Sequence, residues 1–260
     1  MGSQSDRDLG DILGVWGHPD DEAWLSAGLM MTAIAAGRRV VCLTATKGEA
    51  GFPDDDPRSA DERAAVREAE MAASLSIIGV TEHRYLGYAD GGCAHVPDDE
   101  PVEAIAALIE EMRPAVVLTF GPDGGTGHFD HVAVCRWATQ AVARAARPDV
   151  QLMYMTKSRA WNDDFFAGID PSTVMMIEGM EIESVEDSEL EVWYSCEGDI
   201  LDRKVAAMRA QASQIEPFVE MVGVERFRQL LREEFFRRPR EGDDEILARM
   251  TELGRADSAE

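Results

Sequence analysis

The sequence predicts an α/β protein built on a mostly parallel sheet with helices on both faces. In the first 156 residues, short apolar runs alternate with longer stretches whose apolar residues recur at helical spacing. The short runs are continuously apolar, as expected of parallel strands that are buried on both faces. With 260 residues, 45% of them apolar and 29% charged, the chain is long enough to bury a large core.

Five strands and four helices are predicted in this alternating region. The predicted strands cover residues 12–17, 40–46, 83–88, 115–120 and 150–156. The predicted helices cover residues 22–36, 60–78, 99–112 and 131–146. Ser59 and Glu62 form the capping-box pattern S-x-x-E at the start of the second helix, and Gly79 marks its end.

After Lys157 the alternation becomes less regular. We expect residues 157–260 to form a C-terminal extension of strands and helices, packed on a core of residues 1–156 within a single domain. The two strands and two helices expected there lie near residues 174–177, 190–194, 201–214 and 224–237. The polar end from Pro239 is expected to fray.

The charge of the chain narrows the range of its partners. Fifty acidic residues against 25 basic ones give a formal net charge of −25, which repels nucleic acids and anionic lipid surfaces. We therefore expect neither a nucleic acid nor a membrane as a partner. Residues 160–200 contain twelve acidic residues and no Lys or Arg, and we interpret this segment as a solvated face.

Two features of the sequence predict a cytoplasmic location. The start, MGSQSDRDLGD, lacks the apolar segment of an export signal, and the longest apolar segment, residues 23–37, is too short to cross a bilayer. The cysteines contain no C-x-x-C pair, so neither a thiolate zinc site nor a disulfide framework is indicated. They are Cys42, Cys93, Cys135 and Cys196.

Two predicted loops at the carboxyl ends of strands carry most of the side chains suited to catalysis. Residues 18–22, HPDDE, follow the first strand, and residues 121–131, GPDGGTGHFDH, follow the fourth. Ligands of open α/β sheets bind beyond the carboxyl ends of the strands. Three acids in the first loop would repel a pyrophosphate, which argues against a dinucleotide site.

A metal ion explains why acids and imidazoles cluster in these loops. His18, Asp21 and His131 offer two imidazoles and one carboxylate, a ligand set that leaves positions open for water and substrate. Asp20 is then placed to act as general base on that water, although spacing alone does not decide which aspartate has which role. Glu22 is interpreted as favouring the N-terminus of the following helix. The same ligand set suits Fe(II) in an oxygenase, and a non-catalytic binding module is a further alternative.

The motifs GHPDDE, TKGEAG and GPDGGTGHFDH resemble those of the LmbE-like, or PIG-L-like, N-acetylglucosaminyl deacetylase family. Members of this family share a Rossmann-like fold and the paired signatures A/G-H-P-D-D-E/A and H-x-D-H. The segments RAAVREAEMAASLSIIGV and YLGYADGG also resemble the family, and DRKVAAMRAQASQI does so more weakly. The resemblance covers roughly residues 10–215.

The resemblance implies a metal-dependent N-deacetylase that acts on an N-acetylglucosamine-containing small molecule. It makes His18, Asp21 and His131 the ligands of Zn2+, with Fe2+ or another divalent metal as an alternative, and Asp20 the general base. A metal-dependent amidase acting on a non-sugar or thiol-conjugate amide is an alternative. A homo-oligomer is compatible with the sequence.

Further residues receive roles from the same resemblance. His128 is implied to polarise the acyl oxygen and to protonate the leaving amine, and Asp130 to orient or tune His128. Arg67 and Asp90 match positions that contact sugar hydroxyls in family members, and Glu49 is expected to line the same cleft. For Asp90, a residue that only forms a turn is an alternative.

The sequence departs from the family pattern at three positions. Phe129 replaces a common proline, and Gln211 replaces a histidine of the C-terminal motif. Thr126 stands where the mycothiol-pathway enzymes carry a tyrosine, which argues against assigning the chain to mycothiol chemistry by default. For Arg67, an ion pair with Glu70 on the surface of the helix is an alternative to a substrate contact.

Overall fold

The computed structural model describes residues 9–180 and 183–257. Within these ranges it contains seven β-strands and ten α-helices. The strands β1 to β7 are Ile12–Trp16, Val40–Thr46, Glu82–Tyr88, Val116–Thr119, Gln151–Met155, Val192–Ser195 and Glu233–Arg237. The helices α1 to α10 are Asp21–Ala35, Ala60–Ile78, Asp99–Met112, Gly124–Gly127, Phe129–Ala145, Arg159–Phe165, Gly198–Arg209, Ala212–Val222, Val224–Leu230 and Asp243–Asp257.

The chain divides into two units. The first contains the chain up to Asp90 together with Trp193–Glu234, and the second contains Gly91–Val192 together with the chain from Phe235. The boundary near residue 156 expected from the sequence, between a core and an extension within a single domain, stays a prediction.

In the first unit, three parallel strands lie in the order β3, β2, β1. β1 and β2 are buried along their whole length, as their continuously apolar sequences require. Because the strands are parallel, their carboxyl ends lie at one edge, and the loops after Trp16, Thr46 and Tyr88 begin there. These three loops and the first turn of α1 contain the candidate residues of this unit, apart from Arg67 on α2.

In the second unit, β4 and β5 are parallel, and β7 pairs with β5 in the antiparallel direction. Helix α5 packs against α3 and α10. Gly254 permits the close approach of α10, because a Cβ atom there would lie 2.7 Å from the ring of Phe129. The end of the loop from β4 to α5 and the first turn of α5 contain the candidate residues of this unit.

The α/β class with a mostly parallel sheet is confirmed, and every strand and helix predicted before residue 157 is present. The capping box at the start of α2 is also confirmed. The Ser59 side chain accepts a hydrogen bond from Glu62 N, and the Glu62 carboxylate accepts one from Ser59 N at 2.8 Å.

The C-terminal part departs from prediction in its strands and helices. The strand near 190–194 is present as β6, whereas residues 174–177 form turns and bends. The expected helix over 201–214 is two helices, since α7 ends at Arg209 and α8 begins at Ala212.

Two further expectations for this part are wrong. The expected helix over 224–237 ends at Leu230 and is followed by strand β7, in which Phe235 and Phe236 are buried and Phe236 pairs with Met155. The polar end expected to fray forms α10. Its residues Leu247, Met250 and Gly254 recur at helical spacing and are buried.

No helix in the described ranges is both long and apolar enough to cross a membrane. Residues 1–8 lie outside the described residues, and the cytoplasmic location stays a prediction. The four cysteines are buried and form no disulfide with one another.

Candidate active site

The first candidate cluster lies in the loop between β1 and α1. Asp20 has a φ of 107°, a conformation that non-glycine residues rarely adopt and that costs on the order of 1–3 kcal/mol. Its carbonyl accepts hydrogen bonds from the backbone N–H groups of Ala23 and Trp24, but its side chain does not cap the helix. The Asp20 carboxylate is therefore not used in capping. Strained backbone conformations of this kind concentrate at functional sites.

His18 and Asp21 hold two potential ligand atoms close together. His18 N donates to Asp21 Oδ2 at 2.7 Å, and His18 Nδ1 lies 3.7 Å from the same oxygen. Two atoms bound to one tetrahedral zinc, each about 2.0–2.1 Å from the metal, lie about 3.4 Å apart. His18 Nε2 lies 3.0 Å from Asp90 Oδ1. A hydrogen bond from Nε2–H to Asp90 places the ring lone pair on Nδ1, beside Asp21.

Asp90 and Glu49 connect the loops that follow β3 and β2. Asp90 Oδ2 accepts a hydrogen bond from Ala50 N at 2.8 Å, and Glu49 Oε1 accepts one from Asp90 N at 2.9 Å. These hydrogen bonds and the contact with His18 join Asp90 to the loops after β1 and β2. The alternative that Asp90 only forms a turn is therefore wrong. The contacts of Asp90 and Glu49 with a sugar stay predictions.

Arg67 reaches the same loop from α2. It is only 2% exposed, its Nη2 lies 3.1 Å from Asp20 Oδ2, and the same nitrogen donates to the Pro19 carbonyl. Among the described residues, Arg67 Nε and Nη1 have no hydrogen-bond acceptor. Glu70 instead accepts hydrogen bonds from the backbone and side chain of Ser213. The alternative prediction of a surface ion pair between Arg67 and Glu70 is therefore wrong. The contact of Arg67 with a sugar stays a prediction.

Burial makes this acidic cluster costly to ionise. It raises the pKa of Asp20 to about 6, although the Arg67 guanidinium acts in the opposite direction. It also raises the pKa of Asp21 to about 6, against the lowering effect of His18. The pKa of Glu22 is raised to about 8 by burial and by the neighbouring carboxylate of Asp20. A divalent cation beside these groups would stabilise their ionised forms.

The second candidate cluster begins α5, within the second unit. His128 is the N-cap of this helix, and its Nδ1 accepts a hydrogen bond from Asp130 N at 3.2 Å. A neutral His128 with Nδ1 as acceptor carries its proton on Nε2. The His128 ring also stacks on that of His131, with 4.8 Å between ring centroids.

His131 has the contacts expected of a histidine that binds a metal. Its Nδ1 lies 3.0 Å from the Gly124 carbonyl oxygen, and a carbonyl can only accept, so Nδ1 carries the proton and the lone pair is on Nε2. The ring lies parallel to Phe120, with 4.0 Å between centroids and an interplanar angle of 7°. A backbone carbonyl on the second nitrogen is a common way to fix the orientation of a metal-binding imidazole.

Asp130 is fully buried at the start of α5. Its two carboxylate oxygens accept backbone hydrogen bonds from Gly91 at 2.8 Å and from Cys93 at 2.9 Å. Its backbone N–H contacts His128, as described above. Asp130 thereby fixes the residues after β3 to the start of α5, and its expected effect on the protonation of His128 stays a prediction.

One buried pair was not anticipated from the sequence. Glu22 does contact the start of α1, because its Oε2 accepts a hydrogen bond from Asp20 N at 3.0 Å. It is also completely buried, and Gln211 Nε2 donates to its Oε1 at 3.0 Å. Gln211 occupies the position of the family histidine, and its amide supplies a donor that does not need protonation. The two residues are 189 positions apart in sequence, which explains why local pattern did not reveal the pair.

The residues of each unit fit a divalent metal. His18 and Asp21 in the first unit, and His131 in the second, supply the nitrogen and oxygen donors that zinc prefers. His18 and His131 each have one ring nitrogen beside an oxygen, which directs the lone pair to the other nitrogen. The buried carboxylates beside His18 supply negative charge that a cation would offset.

Comparison with known proteins gives the family. The chain matches the family model of GlcNAc-PI de-N-acetylase, PIG-L, over residues 13–142. It is 32% identical over 238 residues to the 1D-myo-inositol 2-acetamido-2-deoxy-α-D-glucopyranoside deacetylase of Rhodococcus erythropolis, with 78% of this chain and 81% of the relative covered.

Solved structures show the same fold. N,N'-diacetylchitobiose deacetylase from Pyrococcus horikoshii superposes with a TM-score of 0.60 at 23% identity, covering 87% of this chain and 82% of that one. A 4-carboxy-2-hydroxymuconate hydratase from Pseudomonas putida reaches a TM-score of 0.60 at 15% identity, covering 89% and 97%. Since a hydratase shares the fold, the fold alone does not specify the reaction.

Proposed function

Because this chain belongs to the PIG-L family of de-N-acetylases, we propose that it removes the acetyl group from an N-acetylglucosamine-containing small molecule by zinc-dependent hydrolysis. Family membership makes the chain a hydrolase of amide bonds. The observation that carries the finer proposal is that one ring nitrogen of His18 and one of His131 each lie 3.0 Å from an oxygen acceptor. This favours a tautomer whose lone pair is on the other nitrogen.

The proposed metal ligands are His18, Asp21 and His131. Zinc bound there would lower the pKa of a coordinated water to about 7 and would polarise a carbonyl oxygen. Two histidines and one carboxylate leave the remaining positions for water and the substrate. Fe2+ in the same ligand set is the alternative for the metal.

The residues around this site supply the proton transfers. Asp20 accepts a proton from the attacking water while the water oxygen bonds to the carbonyl carbon of the acetamide. Nε2–H of His128 donates a hydrogen bond to the developing oxyanion. The proton accepted by Asp20 then passes to the amine nitrogen. When that nitrogen gains a proton, the C–N bond breaks, and acetate and a free amine are released.

Arg67, Asp90 and Glu49 are proposed to bind the sugar. Arg67 has two buried nitrogens without acceptors among the described residues, and sugar hydroxyls supply such acceptors. Asp90 and Glu49 hold the loops after β2 and β3 in place. The same pair of loops is therefore proposed to form one wall of the substrate site.

Acetate and free amine should be measured together on four substrates. These are the inositol conjugate named for the Rhodococcus relative, N,N'-diacetylchitobiose, a thiol-conjugate amide and a non-sugar acetamide. We expect equal amounts of acetate and amine from the acetamido sugars, and much less from the other two. Hydrolysis of the thiol-conjugate or non-sugar amide alone would favour the amidase alternative. Substrate oxidation coupled to oxygen consumption would favour the oxygenase.

A further inference from the structure

The three lysines of this chain differ in how their charge is compensated. They are Lys47, Lys157 and Lys204. Lys47 is about half exposed and pairs with Glu68 at 2.9 Å. Lys204 is completely buried and pairs with Glu234 at 2.6 Å. Both follow the usual rule that a charged group is either solvated or paired.

Lys157 has the least direct compensation of the three lysines. It is only 8% exposed, and within the described ranges its ammonium has neither a hydrogen-bond acceptor nor an ion-pair partner. Its nearest compensation is aromatic, since Nζ lies 5.5 Å from the ring centroid of Trp161 and 5.8 Å from that of Phe165. Cation–π contacts offset only part of the cost of burying an ammonium.

Among the described residues, the acid that acts on this ammonium electrostatically is already engaged in hydrogen bonds. The Asp123 carboxylate favours the charged form of Lys157, while burial lowers the pKa of Lys157 to about 8. The two Asp123 oxygens accept hydrogen bonds from Gly125 N and Glu183 N, both at 3.0 Å. Lys157 therefore remains mostly charged at pH 7, without a direct anionic partner.

Lys157 also lies beside the loop that carries His128. It follows β5 by two residues, and β5 is parallel to β4, so both chains leave the sheet at the same edge. The loop after β4 contacts the end of β5, because a Cβ atom on Gly125 would lie 3.3 Å from Met155 Sδ. Ligands of α/β sheets bind at this edge.

We propose that Lys157 Nζ binds an anionic oxygen group of the substrate, a carboxylate or a phosphate, and thereby selects acetamido sugars that carry a negative charge. This inference rests on the proposed function, whose substrate class it narrows. An anion supplies the missing partner through a charge-assisted hydrogen bond. A neutral hydroxyl leaves the buried charge uncompensated. In a chain of net charge −25, a local cation is needed to hold such a group.

Binding of reaction products separates this proposal from turnover, because an amine has no acetyl group to hydrolyse. The affinities of glucosamine 1-phosphate, glucosamine 6-phosphate and glucosamine for the zinc-loaded protein should be measured by calorimetry. We expect at least one phosphate to bind more tightly than glucosamine, and Lys157→Met to weaken that binding about 10- to 100-fold. Glucosamine binding should change less than about twofold.

Arg144→Met removes an exposed cation near the C-terminal end of α5; it is the control and should leave all three affinities unchanged. Lys157→Arg keeps the charge and should keep the preference for a phosphate. Lys157→Met should melt at the wild-type temperature or above it, because it loses no ion pair. Equal binding of phosphorylated and neutral sugars by the wild type would overturn the proposal, as would an equal loss of both in Lys157→Met. If no acetamide is hydrolysed but phosphate binding still requires Lys157, the proposed function fails and the anion site remains.

Discussion

Arg67 Nη2 lies 3.1 Å from Asp20 Oδ2 and also donates to the carbonyl of Pro19. A buried guanidinium thus fixes both the side chain of the proposed base and the strained backbone before it. Asp20 has a φ of 107°, and its carboxylate contacts Arg67 rather than capping α1. The proposed base and its orienting cation therefore act as one unit.

Replacing Asp20 by Asn should lower kcat for deacetylation about 10²- to 10⁴-fold, because an amide cannot accept the proton from water. Zinc content should remain near the wild-type value, since Asp20 is not a proposed ligand. Asp149→Asn changes an exposed acid in the loop before β5 and is the control, with activity within about twofold of wild type. Full activity in Asp20→Asn would show that another group is the base.

Replacing Arg67 by Met should move the acidic limb of the kcat/KM profile to higher pH. The base works when ionised, so activity rises as pH passes the pKa of Asp20. The Arg67 guanidinium lowers that pKa, and its removal raises it. Arg63→Met, one turn earlier on α2, is the control and should leave the limb in place. If the acidic limb of the Arg67→Met profile is unshifted, Arg67 does not influence the ionisation of Asp20.

The stability of the metal-free protein should fall as pH rises from 6.5 to 8. Burial raises the pKa of Glu22 from 4.5 to about 8, so in this range the native state holds a proton that the unfolded state has released. The slope contributed by Glu22 is at most about 1.4 kcal/mol per pH unit. Asp20 and Asp21, with pKa values of about 6, are mostly ionised there and contribute less.

Glu22→Gln should flatten the dependence of unfolding free energy on pH, because an amide does not titrate. Denaturant unfolding in a chelating buffer at several pH values measures this slope. Its absolute stability also changes through the altered hydrogen bonds, so the slope is the quantity to compare. Glu220→Gln removes an exposed acid and should keep the wild-type slope. A Glu22→Gln slope equal to that of wild type would place the pH dependence elsewhere.

Local pattern in the sequence was sufficient for the first part of the fold. The continuous apolar runs of β1 and β2 and the capping box of Ser59 and Glu62 are decided by neighbouring residues, and the structure contains all of them. The motif loops were likewise located, because each directly follows a buried strand. Short-range features thus give the strand end that each motif follows. Asp21, Asp130 and His131, which were expected in the loops, lie in the first turns of α1 and α5.

The remaining features depend on partners that are distant in sequence. Residues 233–237 follow a helical segment, and only pairing with β5 reveals them as a strand. The buried contact of Glu22 with Gln211 and the burial of Arg67 beside Asp20 likewise require the folded chain. The helix α10 was missed because its charged residues outnumber the few apolar ones that it buries.

The central claim is that catalysis requires a metal held by His18, Asp21 and His131, and a zinc titration tests it most directly. Chelated wild-type protein should receive zinc in steps, with bound zinc and the rate of acetate release from an acetamido sugar measured at each step. We expect the rate to rise in proportion to bound zinc and to level off at one zinc per chain. His131→Ala should bind zinc weakly and remain inactive, and the exposed His95→Ala should behave as wild type. Full activity in the chelated protein, or stoichiometric zinc binding by His131→Ala, would contradict the claim.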